Sequence, residues 1–175
     1  IGSVARLTLT SYNGKDPTGS RIRMEGGRPE NLTPVGAPKG SVVRVEDLFY
    51  NVPARLKFLK SETTEKGQIQ TLVTRYAMAY PAIHWEYIQD GVNKLRTSGN
   101  GDKREVLNGL MSVADARKMI DVEFEENSVR ITGYISPVAL TRSNRKDIII
   151  FVNGRWVQDV SVSSAVVKAY HTMLM

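Results

Sequence analysis

Gly40-Ser41-Val42-Val43-Arg44-Val45-Glu46-Asp47-Leu48-Phe49-Tyr50-Asn51-Val52-Pro53-Ala54-Arg55-Leu56-Lys57-Phe58-Leu59-Lys60 changes its period part-way along. Val43 and Val45 share one face of an extended chain, with Arg44 and Glu46 on the other, the alternation of a strand with one wet side. Pro38-Lys39-Gly40 supplies the turn into that strand, and Gly36 to Gly40 reads as a plain turn or a glycine-rich phosphate cradle, the turn being the commoner meaning. After Asp47 the alternation stops. Asn51 is a residue type that caps helices and Pro53 is tolerated in a first turn, so a helix is expected there, with Phe49 and Phe58 as core anchors. Arg55 and Lys57 would face phosphate or solvent, and solvent is the simpler reading. A strand that runs into a helix corner points to an α+β fold.

Upstream, Ala5, Leu7 and Leu9 alternate with Arg6, Thr8 and Thr10, and Ile22 and Met24 alternate with Arg21, Arg23 and Glu25. With Asn13-Gly14 and Gly26-Gly27 as turns, these make an antiparallel sheet. Downstream, Ile69, Leu72, Val73, Tyr76 and Ala77 form one apolar stripe of a long helix after Ser61, ended by Pro81. Strands over 83–88 and 92–97 turn at Asp90-Gly91. Ser98-Gly99-Asn100-Gly101 reads as a flexible boundary, followed by a capping box, Asp102 with Glu105. Beyond it come strands over 120–124 and 129–135, a polar loop with Arg142, Arg145 and Lys146, and a buried run from Ile148 to Val152. The turn Asn153-Gly154 follows, and a helix from about Ser161 carries Val162, Ala165, Val166, Ala169, Tyr170 and Met173 on one face. Two parts are expected, 1–100 and 101–175.

Composition excludes several classes. No cysteine is present, so disulfides and thiolate metal sites are ruled out within the chain, and His84 and His171 have no companions at ligand spacing. The longest aliphatic or aromatic run, Ile148 to Val152, is far short of the ~20 residues a bilayer span needs, so no membrane partner is expected. The chain opens without methionine or a basic-then-apolar leader and closes inside a helical pattern, so both ends read as cut. The net charge of +6 suits a phosphate-rich partner, yet it equally serves solubility. No catalytic constellation stands out.

The resemblance lies in whole segments. The 40–60 stretch, with Asp47-Leu48-Phe49-Tyr50-Asn51, Pro53-Ala54-Arg55 and Lys57-Phe58-Leu59, resembles the signature of the MutL family of DNA mismatch repair proteins. Phe151-Val152-Asn153-Gly154-Arg155 is similar to that family's second landmark. Ser3-Val4-Ala5-Arg6-Leu7-Thr8-Leu9-Thr10-Ser11 resembles the segment that follows its ATP lid. The resemblance implies the C-terminal half of a GHKL-type α/β sandwich over 1–100. A truncated transducer domain with a left-handed βαβ crossover would follow over 101–175.

It also implies a function: a bacterial, cytoplasmic, nucleoid-associated ATPase that couples ATP binding to holding DNA. Such a protein signals from a mismatch-recognition protein to downstream nicking and unwinding enzymes, and acts as a homodimer. ATP and Mg would be cofactors of the full-length protein. The family's general-base Glu, its magnesium Asn and its adenine motif would precede Ile1, and its γ-phosphate Lys would follow Met175, so this chain alone is expected to be inactive. Gly40 and Ser41 match the Gly-Thr that walls the adenine side of the pocket, while Val42 replaces a second Thr. Arg155 would line a positively charged DNA groove, making sequence-independent phosphate contacts. The neighbouring basic residues Arg142, Arg145, Lys146 and Lys168 are candidates for the same surface, though acidic residues nearly balance the basic ones over 103–175. Two rival readings stand: a non-enzymatic nucleic-acid or protein interaction module, and the equivalent region of a type II topoisomerase, against which the 49–55 run argues.

Overall fold

The computed structural model describes residues 1–140 and 145–171. The fold is α+β and divides into two compact units, residues 1–62 and 63–175. Every paired strand among the described residues is antiparallel.

In the first unit β1 (Arg6–Tyr12) lies between β2 (Gly19–Glu25) and β5 (Gly40–Glu46), and β2 also pairs with the short β3 (Arg28–Pro29) and β4 (Thr33–Val35). Register follows the alternation in the sequence. Leu9 faces Ile22 on one side and Val43 on the other, and Leu7 faces Met24 and Val45, so the apolar residues of three strands share one face. That face was expected to be covered. Instead Val43 is 60% exposed and Val45 42%, because no element of this unit forms a second layer over them.

The corner after β5 is built differently from expectation. Asn51 does not cap the helix: Val52 occupies that position without a side-chain bond, and the Asn51 amide donates to the Ser3 carbonyl at 3.0 Å instead. Helix α1 (Pro53–Leu56) has one turn, begun by a proline whose missing N–H is no loss there. So short a helix cannot bury a neighbouring ring, and Phe58, expected in the core, is 82% exposed. Asp47 (φ 51°) and Phe49 (φ 66°) are left-handed, an unfavourable state for side-chain-bearing residues. The Phe49 N–H donating to Val4 at 2.7 Å and the Arg6 guanidinium bonding Asp47 hold the strain in place.

In the second unit α2 (Glu62–Ala79) packs on the hairpin β6 (Glu86–Gln89) and β7 (Val92–Arg96), with α3 (Lys103–Leu107) closing the core. Ala77, Leu95 and Val106 are its buried centre, flanked by Val73, Met78, Trp85 and Tyr87. The Ser98–Gly101 stretch is no loose linker. Glu105 accepts the Ser98 N–H at 2.7 Å and its hydroxyl at 2.5 Å, and the Gly101 N–H donates to Pro81 at 3.1 Å. The capping box is thus half formed: Asp102 caps α3 by accepting from Arg104 at 2.8 Å, but Glu105 serves Ser98.

A helix the sequence reading passed over, α4 (Val113–Lys118), is capped by Ser112, whose hydroxyl accepts from Asp115 at 3.1 Å. Its last carbonyls receive the Arg104 guanidinium, at 2.9 Å from Ala116 and 3.2 Å from Met119, a cation where the helix dipole is negative. Arg104 also lies over the Tyr134 ring. That ring belongs to β9 (Val129–Ile135), which pairs with β8 (Ile120–Glu126). A third hairpin, β10 (Ile150–Val152) with β11 (Arg155–Val157), precedes α5 (Val160–His171). Asp159 accepts the Val162 N–H at 2.8 Å at the start of α5. The described part of its apolar stripe is not buried, and Met173 lies outside the described residues.

Candidate functional site

Two surfaces carry the candidate residues, one in each unit. In the first, Gly40 opens β5 opposite Tyr12 with φ 122°, a region that favours glycine. Its Cα is approachable: no atom lies within 4 Å of where a side chain would begin. Ser41 faces Ser11, with hydroxyl oxygens 2.7 Å apart, and Ser11 faces Ser20 in β2. A row of three hydroxyls therefore borders the open apolar face of Leu7, Leu9, Ile22, Val43 and Val45. The hydroxyl row alone borders that floor, since Gly40, opposite Tyr12, falls by alternation on the other face. Alternation sends Val42 to the opposite face beside Thr10, so a hydroxyl at 42 would not have joined Ser41 in one cluster.

That opposite face carries Arg6, Arg21, Arg23 and Arg44 together with Thr8 and Thr10. Part of its charge is matched. Arg6 bonds Glu25 at 3.0 Å and also Asp47, and these two partners, Glu25 first, raise its pKa further. Arg44 lies 3.8 Å from Glu46. Arg6 also sits 5.0 Å over the Tyr50 ring, which places the Asp47–Asn51 motif in the service of the corner.

In the second unit Arg155 follows the turn Asn153-Gly154, whose φ values of 51° and 75° make a tight two-residue reversal. It is exposed at the start of β11, opposite Val152. Arg145 and Lys146 are exposed before β10, and Lys168 is exposed on α5. Arg142 lies outside the described residues.

Helix α2 gathers part of this set. Arg75 places its guanidinium 4.4 Å over the Trp156 ring, next to Arg155, and reaches 3.5 Å to the Lys146 carbonyl. Tyr80 donates to the Gly154 carbonyl at 3.0 Å. Tyr76 lies on the apolar stripe expected from the spacing, whereas Arg75 and Tyr80 belong to no motif legible in the sequence. A usable signal was the aromatic pair at i and i+4, followed by a glycine and a tryptophan around Arg155.

Among the described residues no group of three or more His, Asp or Glu is placed to hold a metal, and no helix is long and apolar enough to cross a membrane.

A family model described as DNA mismatch repair protein, C-terminal domain, matches residues 107–175. The DNA mismatch repair protein MutL of Shouchella clausii is 38% identical over 174 residues, 99% of this chain and 26% of that protein. That of Streptococcus sanguinis is 34% identical over 175 residues, 100% of this chain and 27% of that protein. The chain thus spans about a quarter of the length of these curated relatives. Among solved structures it is similar to the Aquifex aeolicus MutL ATPase domain complexed with ADP, with a TM-score of 0.79 and 26% identity, over 96% of this chain and 65% of that one. A second structure of the ATPase domain from this bacterial mismatch repair endonuclease matches with a TM-score of 0.76 and 25% identity, over 98% and 64%. With likeness in both sequence and fold running the length of the chain, it belongs to the MutL family of DNA mismatch repair proteins.

Proposed function

We propose that this chain forms one nucleotide-binding wall and the DNA-facing start of an ATP-gated mismatch repair clamp. The observation that carries this reading is the open apolar sheet face bordered by Ser41, with the unobstructed Gly40 beside it in the strand, in a chain similar to an ATPase domain complexed with ADP. Exposure of Val43 and Val45 leaves a full layer's worth of burial unused, and the solved ATPase domains are longer than the part this chain matches. Further chain of the same domain would cover that face and supply the phosphate and metal end of the site. ATP would then favour one conformation through contacts absent from the other.

On this reading residues 1–100 belong to the ATPase domain and 101–175 begin the transducer, a division supported by the family match that starts at residue 107. Arg155 meets DNA phosphates, with Arg142, Arg145, Lys146 and Lys168 as further candidates. The full-length protein hydrolyses ATP with Mg, dimerises, and signals from a mismatch-recognition protein to nicking and unwinding enzymes in the bacterial cytoplasm, at the nucleoid.

The test is an ATP titration followed by melting temperature. Saturating nucleotide at ~100 times its Kd adds about 2.7 kcal/mol to the stability of a folded binder. The full-length protein should gain stability of that order and residues 1–175 alone should gain almost none. An equal gain in both, or none in either, sinks the split-wall reading.

A further inference from the structure

We propose that Arg75 of α2 and Tyr80, the residue just after that helix, are positioning residues for Arg155, fixing the hairpin tip from which that arginine reaches DNA phosphate. The proposal rests on the reading that Arg155 contacts DNA. The hairpin itself has only three residue pairs, Ile150–Val157, Phe151–Trp156 and Val152–Arg155. Two strands of that length do not hold a geometry alone in water. Among the described residues, α2 and the residue that follows it hold this one.

Two side chains of α2, Arg75 and Tyr76, and the Tyr80 that follows the helix take the hairpin at three points. The Tyr80 hydroxyl donates to the Gly154 carbonyl in the turn. The Tyr76 ring meets Phe151 edge-on, with centroids 6.0 Å apart at 70°. Arg75 covers Trp156 and touches the Lys146 carbonyl. The Tyr76 and Tyr80 rings lie parallel, 6.4 Å apart at 2°. Arg155 lies directly between two held residues, Gly154 and Trp156.

Arg75 and Arg155 have opposite placements. The Arg75 Nε is buried with no hydrogen-bond partner among the described residues, and its guanidinium lies against the Trp156 ring and the Lys146 carbonyl. Arg155 is exposed and projects from the fixed tip. Holding the tip in advance lowers the ordering cost that phosphate binding would otherwise carry.

The experiment uses the full-length protein and duplex DNA, measured across a salt titration, with Arg155→Ala, Tyr80→Phe, Arg75→Lys and both doubles with Arg155→Ala. Tyr80→Phe keeps the ring stack and removes one hydrogen bond, so DNA affinity should fall about three- to tenfold with the salt slope unchanged, since no charge is lost. Arg75→Lys keeps the charge and loses the flat stack, and should behave the same way. In the Arg155→Ala background neither change should weaken binding further, a coupling that a merely structural role would not produce.

Three results overturn the proposal. If Tyr80→Phe and Arg75→Lys cost the same factor with and without Arg155, the residues do not act through it. If Arg155→Ala weakens binding while both positioning variants leave it intact, the tip needs no holding. If Arg155→Ala itself changes neither affinity nor slope, the DNA reading of Arg155 fails first and takes the proposal with it.

Discussion

The Tyr80 hydroxyl donates to the Gly154 carbonyl at 3.0 Å and lies 2.5 Å from where a Cβ on residue 154 would stand. One contact thus makes two demands on position 154: a free carbonyl and no side chain. The φ of 75° adds a third, since that region disfavours every residue but glycine and, less strongly, asparagine and aspartate. Gly154→Ala should therefore cost about 1–3 kcal/mol and displace the tyrosine. Replacing Tyr80 by Ala in the same chain should recover the part due to the clash and leave the part due to φ. Thermal melts of the two single variants and the double separate these terms, and a neutral Gly154→Ala would show that the turn relaxes freely.

Ser41 yields a prediction in which stability and binding part company. Its hydrogen bond to Ser11 is exposed, so Ser41→Ala should lower stability by no more than ~1 kcal/mol. In the full-length protein the same change should weaken ATP binding by about tenfold if the hydroxyl meets the nucleotide, the scale of one hydrogen bond to a ligand. Ser41→Thr should restore it. ATP affinity by calorimetry decides, and an unchanged affinity removes Ser41 from the pocket wall.

The sheet of the first unit was legible from residues 5 to 46 because period-two alternation is a local signal. Leu7, Leu9, Ile22, Val43 and Val45 all fall on the side their spacing assigns. What alternation cannot report is whether that side is covered, since cover comes from residues distant in the chain, and here Val43 stays exposed. Asn51 misled for a related reason. Its residue type fits a helix cap, yet a strand end at Ser3 competes for the same amide. Helix α4 was missed although Ser112 and Asp115 spell its cap, because six residues are too few to show an apolar period. At the candidate DNA surface, Arg155 was marked by its motif. Arg75 and Tyr80 carry no motif, and their role exists only once α2 and the hairpin are brought together.

The Glu105–Ser98 contact predicts a pH dependence. The Ser98 hydroxyl, and then its N–H, hold the Glu105 carboxyl below the usual glutamate range. A depressed folded-state pKa means the stabilisation is fully present above the unfolded-state value and lost as pH falls through the folded-state value. Glu105→Gln removes that titration, so the variant should be less stable than wild type at neutral pH and should approach it below the normal glutamate pKa. Parallel melts from pH 7 down to about pH 3 should show the convergence, since an unperturbed glutamate titrates at about 4.3. Curves that stay a constant distance apart would mean the carboxylate charge is not what closes the Ser98–Gly101 loop.

Thr97 presents the opposite case, a neutral group whose removal is costly because it is buried. Its hydroxyl, on a residue only 3% exposed, accepts the Trp85 N–H at 2.9 Å and donates to the Ile83 carbonyl at 3.3 Å. The hydroxyl thereby continues the β6–β7 pairing by side chain where the backbone ladder gives out, while the Thr97 N–H bonds Trp85 at 2.9 Å. Thr97→Val keeps the shape and the β-branch but strands the Trp85 N–H and the Ile83 carbonyl. Leaving a buried donor unmatched costs about 1–3 kcal/mol, more than the ~1 kcal/mol that a hydrogen bond contributes on average. Thr97→Ser keeps the hydroxyl and loses a methyl, so it should cost less than the valine variant, although valine is the better isostere. If denaturant unfolding ranks valine above serine in stability, packing rather than hydrogen bonding governs this strand end, and the core around Leu95 would have to be credited with the difference.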